Sequence, residues 1–198
     1  MTGGRGTQDT FGDPRQIAAI LVGGQLVMAI LAIIWFNASG IIPPIDRDQL
    51  GLAILAGFVL AGILIGVVLA IKAALPAQMA ALDRTASQLW AGTGLTLSWP
   101  VIICLSVMAG VSEELFFRGA LQYALAFHVT PLFGLLVASF VFGLGHALSW
   151  YYFLLTAFIG LLLGAVFWIT GALLPIIIAH ILYDIWAFRR LKRLIANH

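Results

Sequence analysis

An all-α, polytopic membrane protein, with about six transmembrane helices enclosing a polar chamber, is the fold this sequence predicts. Three observations carry that reading. Of 198 residues, 62% are hydrophobic and 9% charged, with a mean hydropathy of +1.08, whereas soluble domains hold roughly 45–50% apolar and 25% charged residues. Apolar runs near the roughly 20 residues that a spanning helix needs recur along the chain, separated by Gly/Pro-rich or polar breaks. A small set of ionisable side chains stands inside those runs, where a charge costs roughly 2.5–3.5 kcal/mol on the insertion scale.

After a polar tail over residues 1–15, the first span is expected from about Gln16 to Phe36, ending at the loop NASGIIPPIDRDQL. The second runs from about Gly51 to Leu75. Pro76 then opens a segment too polar to span, whose Met79, Leu82, Leu89 and Trp90 fit a short interfacial helix or a loop. Ser98-Trp99-Pro100 places Pro in a first turn and starts a third span reaching about Phe127. Its length predicts a tilt or a break near Glu113 and Glu114. The fourth is expected over Pro131–Leu148, the fifth over Trp150–Ile169 and the sixth over Ala172–Phe188. Gly160/Gly164 and Gly62/Gly66 have the small-xxx-small spacing of closely packed helices. No internal repeat is visible.

Charge placement orients the chain. Six spans put both termini on one side. Arg5, Arg15, Lys72, Arg84 and the tail cluster Arg189, Arg190, Lys192 and Arg193 fall there, and only Arg47 falls opposite, beside Asp46 and Asp48. The positive-inside rule makes that side cytoplasmic. The basic tail suits anionic lipid rather than nucleic acid. The polar first fifteen residues and the long apolar run after them are not the pattern of a cleavable signal peptide. The one cysteine, Cys104, allows no intramolecular disulfide.

Glu113 and Glu114 are the only glutamates in the chain. With Arg118, His146, His180 and Asp184 they form the embedded polar set, drawn from three helices. Glu114 and Arg118 stand at i, i+4, where side chains meet on one face, so an intrahelical ion pair of structural role is expected. Glu113 lies about 100° around the helix and is left without that partner. His180 and Asp184 repeat the i, i+4 spacing, as do Phe142 and His146, with Phe142 expected in the core and His128 at an interface. Three helices can thus meet at a chamber holding an unpaired glutamate and two histidines. A desolvated glutamate suits a general base. A histidine beside it can hold the water, and a second, held in one tautomer by Asp184, can donate to an oxyanion. Hydrolysis of an amide within the membrane is the chemistry this supports.

Glu113-Glu114-Leu115-Phe116-Phe117-Arg118-Gly119 reads as EExxxRG, Phe142-Gly143-Leu144-Gly145-His146 as FxxxH, and His180-Ile181-Leu182-Tyr183-Asp184 as HxxxN/D. In this order, each in an apolar span, they resemble the CPBP family of intramembrane proteases, which includes type II CAAX prenyl endopeptidases and bacteriocin-processing or immunity proteins. The likeness covers about Ser98 to Phe188. It divides the chain into the tail 1–15, two helices and an interfacial segment over 16–97, a CPBP-like catalytic core over 98–188 and a basic tail over 189–198.

The resemblance implies an endopeptidase acting on a membrane-associated protein or peptide at the lipid bilayer, in a bacterial inner membrane. It implies that Glu113 and His146 activate water and that His180 and Asp184 stabilise the oxyanion, with Glu114, Arg118 and Phe142 in support. The best-described prenyl proteases end the third motif in Asn. An amide can donate to an oxyanion and an ionised Asp cannot, so Asp184 is protonated, orients His180 or ligates a metal. Glu113, His146 and His180 are the candidate metal ligands. Glu and His suit zinc, no H-E-x-x-H spacing is present, and metal dependence stays open, as do oligomeric state and substrate. Two other readings stand beside the enzyme: a non-catalytic immunity protein, and a proton-coupled transporter, since Glu/His chains relay protons. The missing repeat counts against the transporter.

Overall fold

The computed structural model describes residues 12–40 and 49–196. Among them every regular element is helical. These are α1 (Pro14–Ser39), α2 (Leu50–Ala74), α3 (Pro76–Gly92), α4 (Trp99–Glu113), a π-wound segment (Glu114–Gln122), α5 (Tyr123–His128), α6 (Pro131–Gly145), α7 (Trp150–Thr170) and α8 (Leu173–Ala196). Expectations placed on Arg5, Asp46, Arg47 and Asp48 fall outside the described residues.

The helix ends follow local chemistry. Asp13 accepts from the backbone N–H of Arg15, Thr130 from that of Phe133 and Ser149 from that of Tyr152, each satisfying a donor that a helix start leaves free. Pro14, Pro76, Pro100 and Pro131 stand in first turns, where a missing N–H costs nothing. Gly171 ends α7 in the left-handed region at φ 66°, a conformation open to Gly without strain.

Among the described residues four helices are long and apolar enough to cross a membrane: Pro14–Ser39, Leu50–Ala74, Trp99–His128 and Trp150–Thr170. The expected count of about six is not reproduced, for two physical reasons. α6 stops at Gly145 instead of Leu148, leaving 15 residues, or about 22 Å of helix at 1.5 Å per residue against a hydrocarbon core of about 30 Å. α8 is long enough, but any stretch of bilayer length within it takes in Asp184, Arg189 and Arg190 or more. The third span does not break at the glutamates. It runs on to His128 by changing its winding. α3 is a full 17-residue helix rather than a loop, with Met79 and Leu82 buried.

Packing sets the site. α2 lies along α8, α6 along α7, α4 along α8, and α1 against α4 and the π segment. Leu64, Met79, Leu163 and Ile176 meet in a core shared by α2, α3, α7 and α8. α1 presents Leu26, Val27, Ile30, Leu31, Ile33 and Ile34 outward, the face expected of a helix in lipid. Lipid tails are as apolar as leucine, so helix association here rests on close contact and interhelical hydrogen bonds. Gly110 shows the first. A Cβ there would lie 2.5 Å from Ile181 Cγ1, so the missing side chain lets α4 settle on α8 just before Glu113, beside His180.

Candidate active site

The two glutamates sit where α4 changes to π winding, whose i→i+5 hydrogen bonds widen the turn and are frequent at functional sites. The wide turn holds Glu114, Phe117, Arg118 and Gln122 inward and buried. Arg118 Nη1 donates to Glu114 Oε1 at 3.0 Å, and Nη2 donates to the Gly160 carbonyl at 3.1 Å. Its guanidinium lies 4.7 Å from the centre of the Phe142 ring. Gln122 Nε2 donates to the Gly164 carbonyl at 2.8 Å. The Gly160/Gly164 stripe of α7 therefore offers backbone carbonyls to the π segment. Gly62 and Gly66, of equal spacing, have nothing near them.

The histidines are each held through Nδ1. His146 follows the last residue of α6, and its Nδ1 lies 2.9 Å from the Phe142 carbonyl. A carbonyl can only accept, so Nδ1 carries the proton and Nε2 of the neutral ring is the lone-pair atom. Phe142 also flanks this ring, with centroids 4.7 Å apart. His180 is buried, and its Nδ1 lies 2.6 Å from Glu114 Oε1. Its i, i+4 neighbour Asp184 stands at 3.7 Å from Nε2, beyond a hydrogen bond. The ring expected on Asp184 is thus bonded to Glu114 instead.

Glu113 faces a different set. Its Oε1 accepts from Gln25 Nε2 of α1 at 2.8 Å. Its Oε2 lies 3.9 Å from Nε2 of His146 and 3.9 Å from Nε2 of His180, and is buried with no hydrogen-bond partner among the described residues. A cavity of about 300 Å³ opens in front of it, lined by Glu113, Phe142, His146, His180 and Asp184 with Tyr152 and Tyr183. The glutamates, the two histidines, Arg118, Phe142 and Asp184 all come together. His128 does not join them.

Sequence reasoning missed Gln25, which no motif marks. The rule that singled out the glutamates, a polar side chain inside an apolar run, also singles out Gln25, the one amide, hydroxyl or charged side chain between Ile17 and Ile34.

Zinc held by nitrogen and oxygen at roughly 2.0–2.1 Å needs donors about 3.3 Å apart in a tetrahedral site. The Glu113–His146 and Glu113–His180 separations are both 3.9 Å, and among the described residues no three His, Cys, Asp or Glu side chains form a metal-binding group. As placed, these residues do not fit the ion.

Lipid-facing helices around a buried acid–imidazole cluster define an integral membrane protein with a sequestered polar site. Residues 95–186 match the family described as type II CAAX prenyl endopeptidase Rce1-like. That segment, slightly under half of the chain, holds all three motifs and is similar to this protease family, the one the motifs resemble. No curated protein matches the chain, and neither does any solved structure.

Proposed function

We propose that the protein is an intramembrane endopeptidase that hydrolyses a peptide bond of a membrane-associated protein or peptide with a water activated by Glu113 and His146. The observation that carries this is Glu113 Oε2, buried, unbonded within the protein and flanked by two imidazole Nε2 atoms at 3.9 Å. Such separations are too long for direct hydrogen bonds and suit one bridging water.

Water between Glu113 Oε2 and His146 Nε2 donates to both lone pairs. Glu113 takes one proton as the oxygen attacks the carbonyl carbon. That proton then passes to the leaving nitrogen as the C–N bond breaks, and the water's second proton passes to His146 Nε2, giving a carboxylate and an amine. His180 serves the carbonyl oxygen. With its Nδ1–H committed to Glu114, Nε2 must carry a second proton to donate, so the imidazolium is the active form. Glu114 and Arg118 hold that ring in place. Each proton-transfer group in such a scheme contributes about 10²–10⁴-fold.

The basic end of α8 supports an orientation. Asp83, Arg190, Leu191 and Leu194 line the cavity with the catalytic residues, so the cavity extends toward the cluster Arg189, Arg190, Lys192 and Arg193. By the positive-inside rule that side is cytoplasmic, and the bound segment enters from there.

The experiment uses purified protein in lipid vesicles and a prenylated CAAX-type peptide, the probe that the family supplies. Glu113→Gln and His146→Ala are each expected to lower turnover about 10²–10⁴-fold while unfolding at the wild-type temperature. Retained turnover in both variants overturns the assignment.

A further inference from the structure

We infer that Gln25 is a positioning residue for Glu113, contributed by α1 from outside the segment that carries the family's motifs. The inference rests on the catalytic reading of Glu113. Gln25 Nε2 donates to Glu113 Oε1 at 2.8 Å. On its other side Gln25 Oε1 accepts from the Ser112 hydroxyl, and Ser112, buried next to Glu113 in the chain, is also 2.7 Å from the Met108 carbonyl.

Three points make this more than a helix contact. The amide has one workable orientation, since turning it over would set its carbonyl oxygen against a carboxylate, whereas the Ser112 hydroxyl can meet either end. Glu113's two oxygens are thereby given separate tasks: Oε1 is occupied by Gln25, and Oε2 is left for the space between His146 and His180. A carboxylate without the first bond can rotate about its last side-chain torsion, which is broad. Finally, Gln25 is the one polar side chain in the apolar stretch from Ile17 to Ile34 of α1, and in that setting a polar side chain is retained where it finds a partner across the helix interface. α1 thus completes a site that the motifs of the other helices leave open on one side.

A displacement of about 1 Å at a reacting group can cost 10²-fold in rate, so Gln25→Met, which keeps the volume and removes the donor, is expected to lower kcat roughly 10–100-fold with KM unchanged. A second readout needs no substrate. Glu113 and Glu114 are the only glutamates, so cell-free synthesis with ¹³C-glutamate labels just two side-chain carboxylates, and Glu113→Gln assigns them by deleting one signal. In phosphatidylethanolamine/phosphatidylglycerol vesicles, Gln25→Met should move the Glu113 signal and leave that of Glu114 in place. Unmoved signals, a wild-type kcat, or a change confined to KM each overturn the inference. Should Gln25→Met fail to fold, Ser112→Ala, which frees the far end of the amide and gives up the contact with the Met108 carbonyl, is expected to move the same signal and lower kcat less, and a wild-type spectrum overturns the inference there too. Full activity in Glu113→Gln would instead overturn the catalytic reading, while the carboxylate signals of Gln25→Met would still decide whether the amide holds Glu113.

Discussion

His180 Nδ1 and Glu114 Oε1 lie 2.6 Å apart, joining α8 to the π segment across 66 positions of sequence. The second glutamate thus has two partners on one oxygen, since Arg118 Nη1 reaches the same Oε1 at 3.0 Å. The adjacent acids divide the work. Glu114 fixes a histidine from behind, and Glu113 meets the front of both histidines. What looked from spacing alone like a structural ion pair is also the support of a proposed catalytic ring.

Glu114→Ala is accordingly expected to cost both stability and turnover. Removing one partner of a buried pair leaves the other charge uncompensated, typically at about 3–5 kcal/mol. Arg118 is only 1% exposed. Thermal unfolding in detergent should show a clear drop, and any folded fraction should turn over slowly because His180 loses its anchor. A melting curve that overlays the wild type would remove the support assigned to Glu114.

The parts of the site readable in advance were those that helix spacing reports. Glu114–Arg118 and Phe142–His146 lie on single helices or at their ends, and i, i+4 geometry foretold both contacts. Spacing says nothing about bonds between helices. His180 was assigned to Asp184 because that neighbour is four residues away, yet tertiary packing brought Glu114 closer. Gln25 was out of reach for the same reason, since only the approach of α1 to α4 sets it on Glu113. Helix content followed from composition. The π winding did not, because a shift from i→i+4 to i→i+5 bonding leaves no residue pattern to read. Span counting by apolar length is not confirmed for α6, which is short, or for α8, which carries charges.

The two glycine stripes offer a paired test. A Cβ at Gly164 would lie 2.6 Å from Leu135 Cδ1 and 2.7 Å from Gln122 Oε1, while one at Gly66 meets nothing within 4 Å. Gly164→Ala is therefore expected to destabilise by about 1–3 kcal/mol through overpacking, with loss of the Gln122–Gly164 bond. Gly66→Ala should be neutral or slightly stabilising, since alanine is the better helix former by up to about 1 kcal/mol. Unfolding temperatures of the two variants in one detergent decide it. Equal behaviour would show that the π segment does not depend on close approach to α7.

His146 provides the cleanest separation of activity from stability. Its side chain is 33% exposed and stands at the end of α6, so truncation opens no closed cavity. The one local bond lost is that from Nδ1 to the Phe142 carbonyl, and a typical hydrogen bond contributes only about 0.5–1.5 kcal/mol net. His146→Ala should thus fold with little change while kcat on the prenylated peptide falls about 10²–10⁴-fold. His146→Gln offers a nitrogen or oxygen near the same place but no imidazole base, and should recover stability without rate. Recovery of rate by glutamine would limit His146 to holding water by a hydrogen bond.

Asp184 separates two roles that its position allows. Its Oδ2 lies 3.7 Å from His180 Nε2, with the side chain 19% exposed to the cavity. A carboxylate there could hold a proton on Nε2 of His180 by its charge. A neutral donor there could instead bond the oxyanion directly, and an ionised carboxylate cannot do so. Asp184→Asn keeps the shape, supplies two N–H donors and removes the charge. On the proposed oxyanion role, Asp184→Asn keeps kcat within a few-fold of wild type, while Asp184→Ala loses roughly 10²-fold, the cost typical of a lost oxyanion donor. If the charge is what matters, Asn and Ala will fall together, and Asp184 then acts through His180 and not on the substrate. Steady-state turnover of the three proteins in the same vesicles distinguishes the two, because the substitutions differ in charge and donor capacity at nearly constant position.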